Sequence, residues 1–246
     1  LQQGADMKQA TKHGTPVLHS AAFAGHADVC QVLLDFGADV KETTGDGSTP
    51  LHVAACEGHV DVCRLLLERA ADPNQRSKGG MAPLPAAACN GHVDVCRLLL
   101  ERGADMKQTL NGGATILYVS AAAGPVDVCR LLLDRGADVG QAAEDGTTPL
   151  HAAAWEGRVD VCRLLLQQGA DGKQTDVVGF DSLHVAAHRG HVDVCRLLLQ
   201  QGADVNERTG DGRSPLHLAA SRGHVDVCRL LLERGADVNQ MRGTGA

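Results

Sequence analysis

The sequence predicts an all-α repeat solenoid built from helix-turn-helix units, and three observations carry that prediction. The phrase VDVCRLLL recurs at 60–67, 93–100, 126–133, 159–166, 192–199 and 225–232, each copy 33 residues after the last, with a weaker copy, ADVCQVLL, at 27–34 in the same register. Glycines fall into three columns of the same spacing, begun by Gly14 and Gly47, by Gly25 and Gly58, and by Gly4 and Gly37; they hold 21 of the 29 glycines. Aromatic residues make up only 2% of a chain that is 43% apolar, so the core must consist of Leu, Val, Ala and Cys. A short helix pair made from these cannot bury its apolar face alone, whereas stacked neighbours can.

Residues 45–74 show the elements most clearly. Asp46-Gly47 is a turn signal, because glycine tolerates the positive φ such a turn asks for. Thr49 followed by Pro50 is an N-cap with proline at the first helical position. The first helix should run from about Pro50 to Glu57, with Ala54 and Ala55 small enough for close approach of a neighbour. Gly58-His59 breaks it. A second helix, about Val60 to Arg69, places Val62, Leu65 and Leu66 on one stripe at i, i+3, i+4 spacing. Glycine follows this helix in most units and supplies the left-handed residue that ends it. In this unit Ala70 takes that place, which should cost about 1 kcal/mol. The Asp after it (Asp39, Asp72, Asp105 and their counterparts) should satisfy backbone donors in the following loop.

Gly47 through Asn74, GSTPLHVAACEGHVDVCRLLLERAADPN, closely resembles the ankyrin repeat. The 33-residue period and the TPLH, AA, GH, LLL and GAD positions carry the resemblance, which covers essentially the whole chain. It implies one array over 1–246: a partial repeat at 1–9, helix-pair units at about 10–41, 42–74, 75–107, 108–140, 141–173, 174–206 and 207–239, and a tail at 240–246. It further implies a β-hairpin finger with an antiparallel helix pair per unit, a curved stack, protein binding and no catalytic apparatus. The same resemblance makes Asn206 and Asn239, each in an LLL-x-x-GADVN context, candidates for asparagine hydroxylation. The last unit keeps apolar positions where a capping repeat would be polar. The chain is therefore expected to be a segment of a longer array, or to make end-to-end contacts through its terminal repeats.

Several function classes find no support. The formal net charge is −7 and no Lys/Arg run is present, which argues against nucleic acid. No stretch reaches the 18 uninterrupted apolar residues of a membrane span, and no signal-peptide pattern is found. Seven of the nine cysteines form one column (Cys30 to Cys228) whose members stacking places about 10 Å apart, beyond the ~7 Å reach of a disulfide. With no C-x-x-C they are expected to be small buried hydrophobes, in a cytoplasmic or nuclear, reducing compartment. His184, His188 and His191 have the spacing of a ligand cluster. However, His184 belongs to the column of His52 and His151, and His191 to that of His59 and His92. The resemblance makes both columns structural, their rings bonding backbone in adjoining turns. No metal, cofactor or catalytic residue is therefore expected, and no G-x-S-x-G, phosphate loop or dinucleotide fingerprint is present.

The columns that vary between units remain as the place for function. They are the finger ahead of the Thr-Pro step and the two residues after the Ala-Ala pair, which by resemblance line a concave groove. Of five aromatic residues, Phe23, Trp155 and Phe180 fall there. Aromatics and arginines are enriched at interface hot spots, so the partner-binding residues are expected to be Trp155, Glu156, Phe180, His188, Arg189, Arg213, Ser221 and Arg222. The charge divides as well. Glu42, Asp46, Glu57, Glu144, Asp145 and Glu156 lie in the second and fifth units, and Arg189, Arg208, Arg213 and Arg222 in the sixth and seventh. Such a gradient steers docking more than it adds affinity. In the competing reading Trp155 lies over the neighbouring helix as surface packing, and the segment is a spacer or targeting arm of a larger protein. Departures cluster in the third and fourth units, where Pro85 and Pro125 replace column histidines and Tyr118 offers a hydroxyl in place of a ring nitrogen. An irregular bend is expected there.

Overall fold

Helices of seven to nine residues are too short to be stable alone in water, so each must be held by its neighbours. The computed structural model describes residues 15–239; the partial repeat expected at 1–9 and the tail at 240–246 lie outside the described residues. Contacts group the chain into two compact units that meet in sequence at Leu110 and Asn111. The first holds α1 (Val17–Phe23), α2 (Ala27–Asp35), α3 (Pro50–Glu57), α4 (Val60–Glu68), α5 (Pro83–Cys89) and α6 (Val93–Glu101). The second holds a 3-10 turn at Asn111–Gly113, then α7 (Ile116–Ala123), α8 (Val126–Asp134), α9 (Pro149–Trp155), α10 (Val159–Gln167), α11 (Ser182–Arg189), α12 (Val192–Gln200), α13 (Pro215–Arg222) and α14 (Val225–Glu233).

Within each unit the stacking is serial. In the first, α1, α3 and α5 form one layer, and α2, α4 and α6 the other. In the second, α7, α9, α11 and α13 stack in order, and α8, α10, α12 and α14 stack beside them. Each helix pair also packs on itself, giving the two-layer arrangement of a repeat solenoid. The Ala-Ala pairs Ala54/Ala55, Ala87/Ala88, Ala153/Ala154 and Ala186/Ala187 are fully buried between first-layer helices. Leu66 and Leu99 in the first unit, and Leu132, Leu165 and Leu198 in the second, line the α2-type layer of their own unit, each withdrawn from water and worth about 1.5–3 kcal/mol of burial. Beside them Cys63, Cys96, Cys129, Cys162 and Cys195 are fully buried, and burial pushes each thiol up to about 12. These thiols fill space and are not poised to react.

Caps explain where the helices begin. Thr49 accepts from the backbone N–H of His52, and the His52 ring accepts at Nδ1 from the Thr49 N–H at 3.1 Å. Thr148 with His151 and Ser214 with His217 repeat this reciprocal box. In α1 the proline comes one position early: Pro16 stands where Thr49 stands in the next repeat, and the buried Nδ1 of His19 has no partner. At the other end, Ala70 has φ 63, the only non-glycine among the described residues with positive φ. The Asp column behaves uniformly: Asp39, Asp72, Asp105, Asp138, Asp171, Asp204 and Asp237 each accept from the backbone N–H two residues on.

Histidines join one repeat to the next. Through Nε2, His19, His52 and His151 donate to the carbonyls of Ser48, Met81 and Phe180 at 2.9–3.0 Å. A second series reaches back, His59, His92, His191 and His224 donating to the carbonyls of Phe23, Cys56, Trp155 and His188. Where the column carries Arg158, its Nε donates to Ala122 O at 3.1 Å and takes over the histidine's role. Tyr118 does not reproduce the ring-to-carbonyl bond; its hydroxyl lies 3.4 Å from the Thr147 hydroxyl. The fingers also differ from the β-hairpins expected. Among the described residues they are tight turns, closed in the first unit by Thr44 N–H to Ser48 O at 3.0 Å. Neighbouring fingers meet through a single backbone bond, Lys78 N–H to Asp46 O or Val177 N–H to Asp145 O, too few for a strand ladder.

Candidate protein-binding face

The predicted site residues lie at two kinds of position, both in the second unit. Trp155 and Glu156 lie at the end of α9, His188 and Arg189 at the end of α11, and Ser221 and Arg222 at the end of α13, because the variable pair follows the Ala-Ala pair, of which only Ala220 is exposed among these three helices. Phe180 and Arg213 sit in the fingers ahead of α11 and α13. Trp155 is 42% exposed; Glu156, Arg189, Ser221 and Arg222 are exposed, and Phe180, His188 and Arg213 are half-buried.

The structure brings most of them together. The Trp155 and His188 rings stack with centroids 6.1 Å apart, and the Arg189 guanidinium lies 4.6 Å from the Trp155 ring centroid. Arg189 Nε also donates to Trp155 O at 3.3 Å. Phe180 is stacked on His184 at 5.9 Å and carries the Arg213 guanidinium 5.4 Å over its face. Arg213 is held there by an ion pair to Asp211 at 2.7 Å. The Arg222 guanidinium donates to His188 Nε2 at 3.1 Å. Burial and then the Arg222 and Arg189 charges hold the His188 ring below its ordinary value. Ser221 is turned away, its hydroxyl donating to Leu218 O at 2.9 Å. Trp155 thus packs against the following repeat and remains partly open to solvent.

Sequence reasoning missed what lies beside these rings. A cleft of about 420 Å³ is walled by Tyr118, Trp155 and Phe180 and floored by Ala122, Ala152 and Val185. Asp145, Glu156 and Asp176 also line it, with Thr147 and His151 between. Asp145 accepts from the Thr147 hydroxyl and N–H, which hold its carboxyl below the usual range. Asp176 accepts from the N–H groups of Val178 and Phe180, which sets the Phe180 backbone in place. Burial keeps His151 below its ordinary value, so the ring it adds to the cleft lining is neutral at neutral pH. The sequence signal was present: Tyr118, Trp155 and Phe180 belong to three successive repeats, but only the stacked geometry puts them on one cavity.

The histidine triplet does not converge. His184 faces Asp181 Oδ1 at 2.7 Å through Nδ1 and Glu207 O through Nε2, while His191 is committed to Trp155 O. Among the described residues no three ligating side chains gather around one point, and no helix is long and apolar enough to cross a membrane. Asn206 bridges to the next repeat, its amide donating to Gly235 O and accepting from the Asp237 N–H. Asn239 has its backbone N–H on Asp237 Oδ1.

Paired helices, serial stacking and histidine links between turns define a helix-pair repeat module with a variable face. The family model described as Ankyrin repeats (3 copies) matches residues 1–77, 19–110, 84–176 and 172–242. The chain belongs to the ankyrin repeat family. Among solved structures, the crystal structure of the human ASB11 ankyrin repeat domain superposes with a TM-score of 0.82 at 30% sequence identity. That match covers 90% of this chain and 98% of the ASB11 chain. No curated protein matches the chain in sequence. Ankyrin repeats are generally protein–protein interaction modules, and no catalytic family is indicated.

Proposed function

We propose that this chain is a non-catalytic scaffold that binds a partner protein through the groove face and fingers of its second unit. The observation that carries this reading is the placement of Trp155. It is the chain's one tryptophan, it is 42% exposed, and it occupies a position that the sibling repeats fill with Phe, Cys, Ala, His or Ser. Arg189 and His188 hold it in one orientation, so its binding area is preorganised. Residues of this type dominate interface energetics. The competing spacer reading predicts no dedicated ligand on this face. The apolar side chains exposed in the first and last described helix pairs, Phe23, Val29, Val32 and Phe36 on one side and Val225 and Leu232 on the other, suit end-to-end contact with further repeats. A reducing cytoplasmic or nuclear setting matches nine free thiols.

The test compares proteins captured from cell extract by the immobilised chain with those captured by Trp155→Ala, Phe180→Ala and Arg163→Ala. Arg163 lies exposed on α10, away from the face. Partners should lose about 2 kcal/mol or more of affinity with either ring removed and none with Arg163→Ala, while circular dichroism shows each variant folded. Affinity indifferent to both rings favours the spacer reading.

A further inference from the structure

We propose that the cleft between Tyr118, Trp155 and Phe180 seats the basic side chain, Lys or Arg, of a segment of a partner protein; this rests on the binding-face reading and names what that face selects. Two independent features point to a cation. The first is the wall, three aromatic rings from successive repeats around about 420 Å³, since ring faces attract cations strongly once water is excluded. Two of these rings already carry guanidinium groups within the chain, Arg189 on Trp155 and Arg213 on Phe180. Both arginines come from the following repeat and neither lines the cleft.

The second feature is charge. Asp145, Glu156 and Asp176 line the cleft and no lysine or arginine does. Asp145 is locked in place by Thr147, and Asp176 by the N–H groups of Val178 and Phe180, so two of the three carboxylates are fixed before anything binds. An apolar or acidic side chain entering here would desolvate these carboxylates with nothing in return. A basic side chain offers them a counter-charge while its methylene stem covers Ala122 and Ala152. The cleft lies at the small end of ligand-pocket volumes, which run from about 300 to 1,000 Å³, as suits one side chain of a larger ligand.

The experiment selects a random-peptide display library on the full chain, with Trp155→Ala as counter-selection, and measures the selected peptides by Trp155 fluorescence. Peptides should share one Lys or Arg, and replacing it with norleucine or citrulline should weaken binding about tenfold, the equivalent of about 1.4 kcal/mol. Glu156→Gln, which removes a charge from an exposed side chain, should weaken them about threefold, and the loss should shrink as salt is raised. Trp155-dependent peptides without a shared basic residue, or with unchanged affinity after its replacement, overturn the cation seat and leave the binding face standing. A library that yields no Trp155-dependent peptide overturns both.

Discussion

The left-handed positions in this chain separate two demands on glycine that sequence columns alone do not distinguish. Gly58 has φ 82, and a Cβ there would run into the His92 ring that donates to Cys56 O. Gly103 has φ 88 with nothing within 4 Å of where a Cβ would stand. Gly58→Ala must therefore lose conformational ease and an inter-repeat hydrogen bond together, about 2–3 kcal/mol. Gly103→Ala should cost only the backbone term, roughly 1 kcal/mol. Ala70, which holds φ 63 in the Gly103 column, shows that the smaller cost is tolerated. Urea denaturation of the two variants measures the difference, and equal losses would refute the role given to the His92 ring.

At the scale of the element, a helix start here is a three-part device of cap residue, proline and histidine. It works in α3, α9 and α13 because Thr49, Thr148 and Ser214 sit three residues before the ring they cap. The first repeat contains the same Thr-Pro dipeptide one residue out of step, so Pro16 caps nothing and His19 Nδ1 is stranded. Pro16→Thr combined with Val17→Pro restores the register and should stabilise the protein by about 1 kcal/mol. A denaturation midpoint unchanged by the pair would show that the stranded nitrogen is satisfied in solution. The substitution of Arg158 for histidine was equally invisible in composition. A long side chain reached Ala122 O from the same column because the acceptor's position, not the donor's identity, is what stacking fixes.

Over the whole molecule, the histidine links make stability depend on pH in one direction. Burial holds His19, His52 and His151 below the ordinary imidazole value of 6.5, although their carbonyl partners act the other way. The unfolded chain protonates these rings near 6.5, and the folded chain only at lower pH. Their contribution is therefore complete above about pH 6.5 and is lost as pH falls through the lower folded values. Asp46 and Asp211, each held at about 2, stay ionised throughout and add no slope. Melting temperature should fall between about pH 7.5 and pH 5.5, and the double variant His52→Gln, His151→Gln should flatten that fall. A wild-type profile level across this range would contradict the neutral, carbonyl-bound rings.

The repeat length, the helix boundaries in 45–74, the glycine and aspartate columns and the buried Leu–Cys stripe were all legible in the sequence. Each rests on contacts within one repeat or between identical neighbours, and seven copies averaged out the noise. Trp155, Phe180 and their arginines were legible as departures from that average. What only the tertiary structure decided was how departures in different repeats combine: that Phe180 lies half-buried beneath Arg213, that Ser221 turns inward to Leu218 O, and that Tyr118, Asp145 and Asp176 join Trp155 around one cleft. Periodicity specifies which residues share a column. The backbone bonds between fingers repeat with the same period, but distances between unlike side chains across the stack depend on their rotamers, which have none.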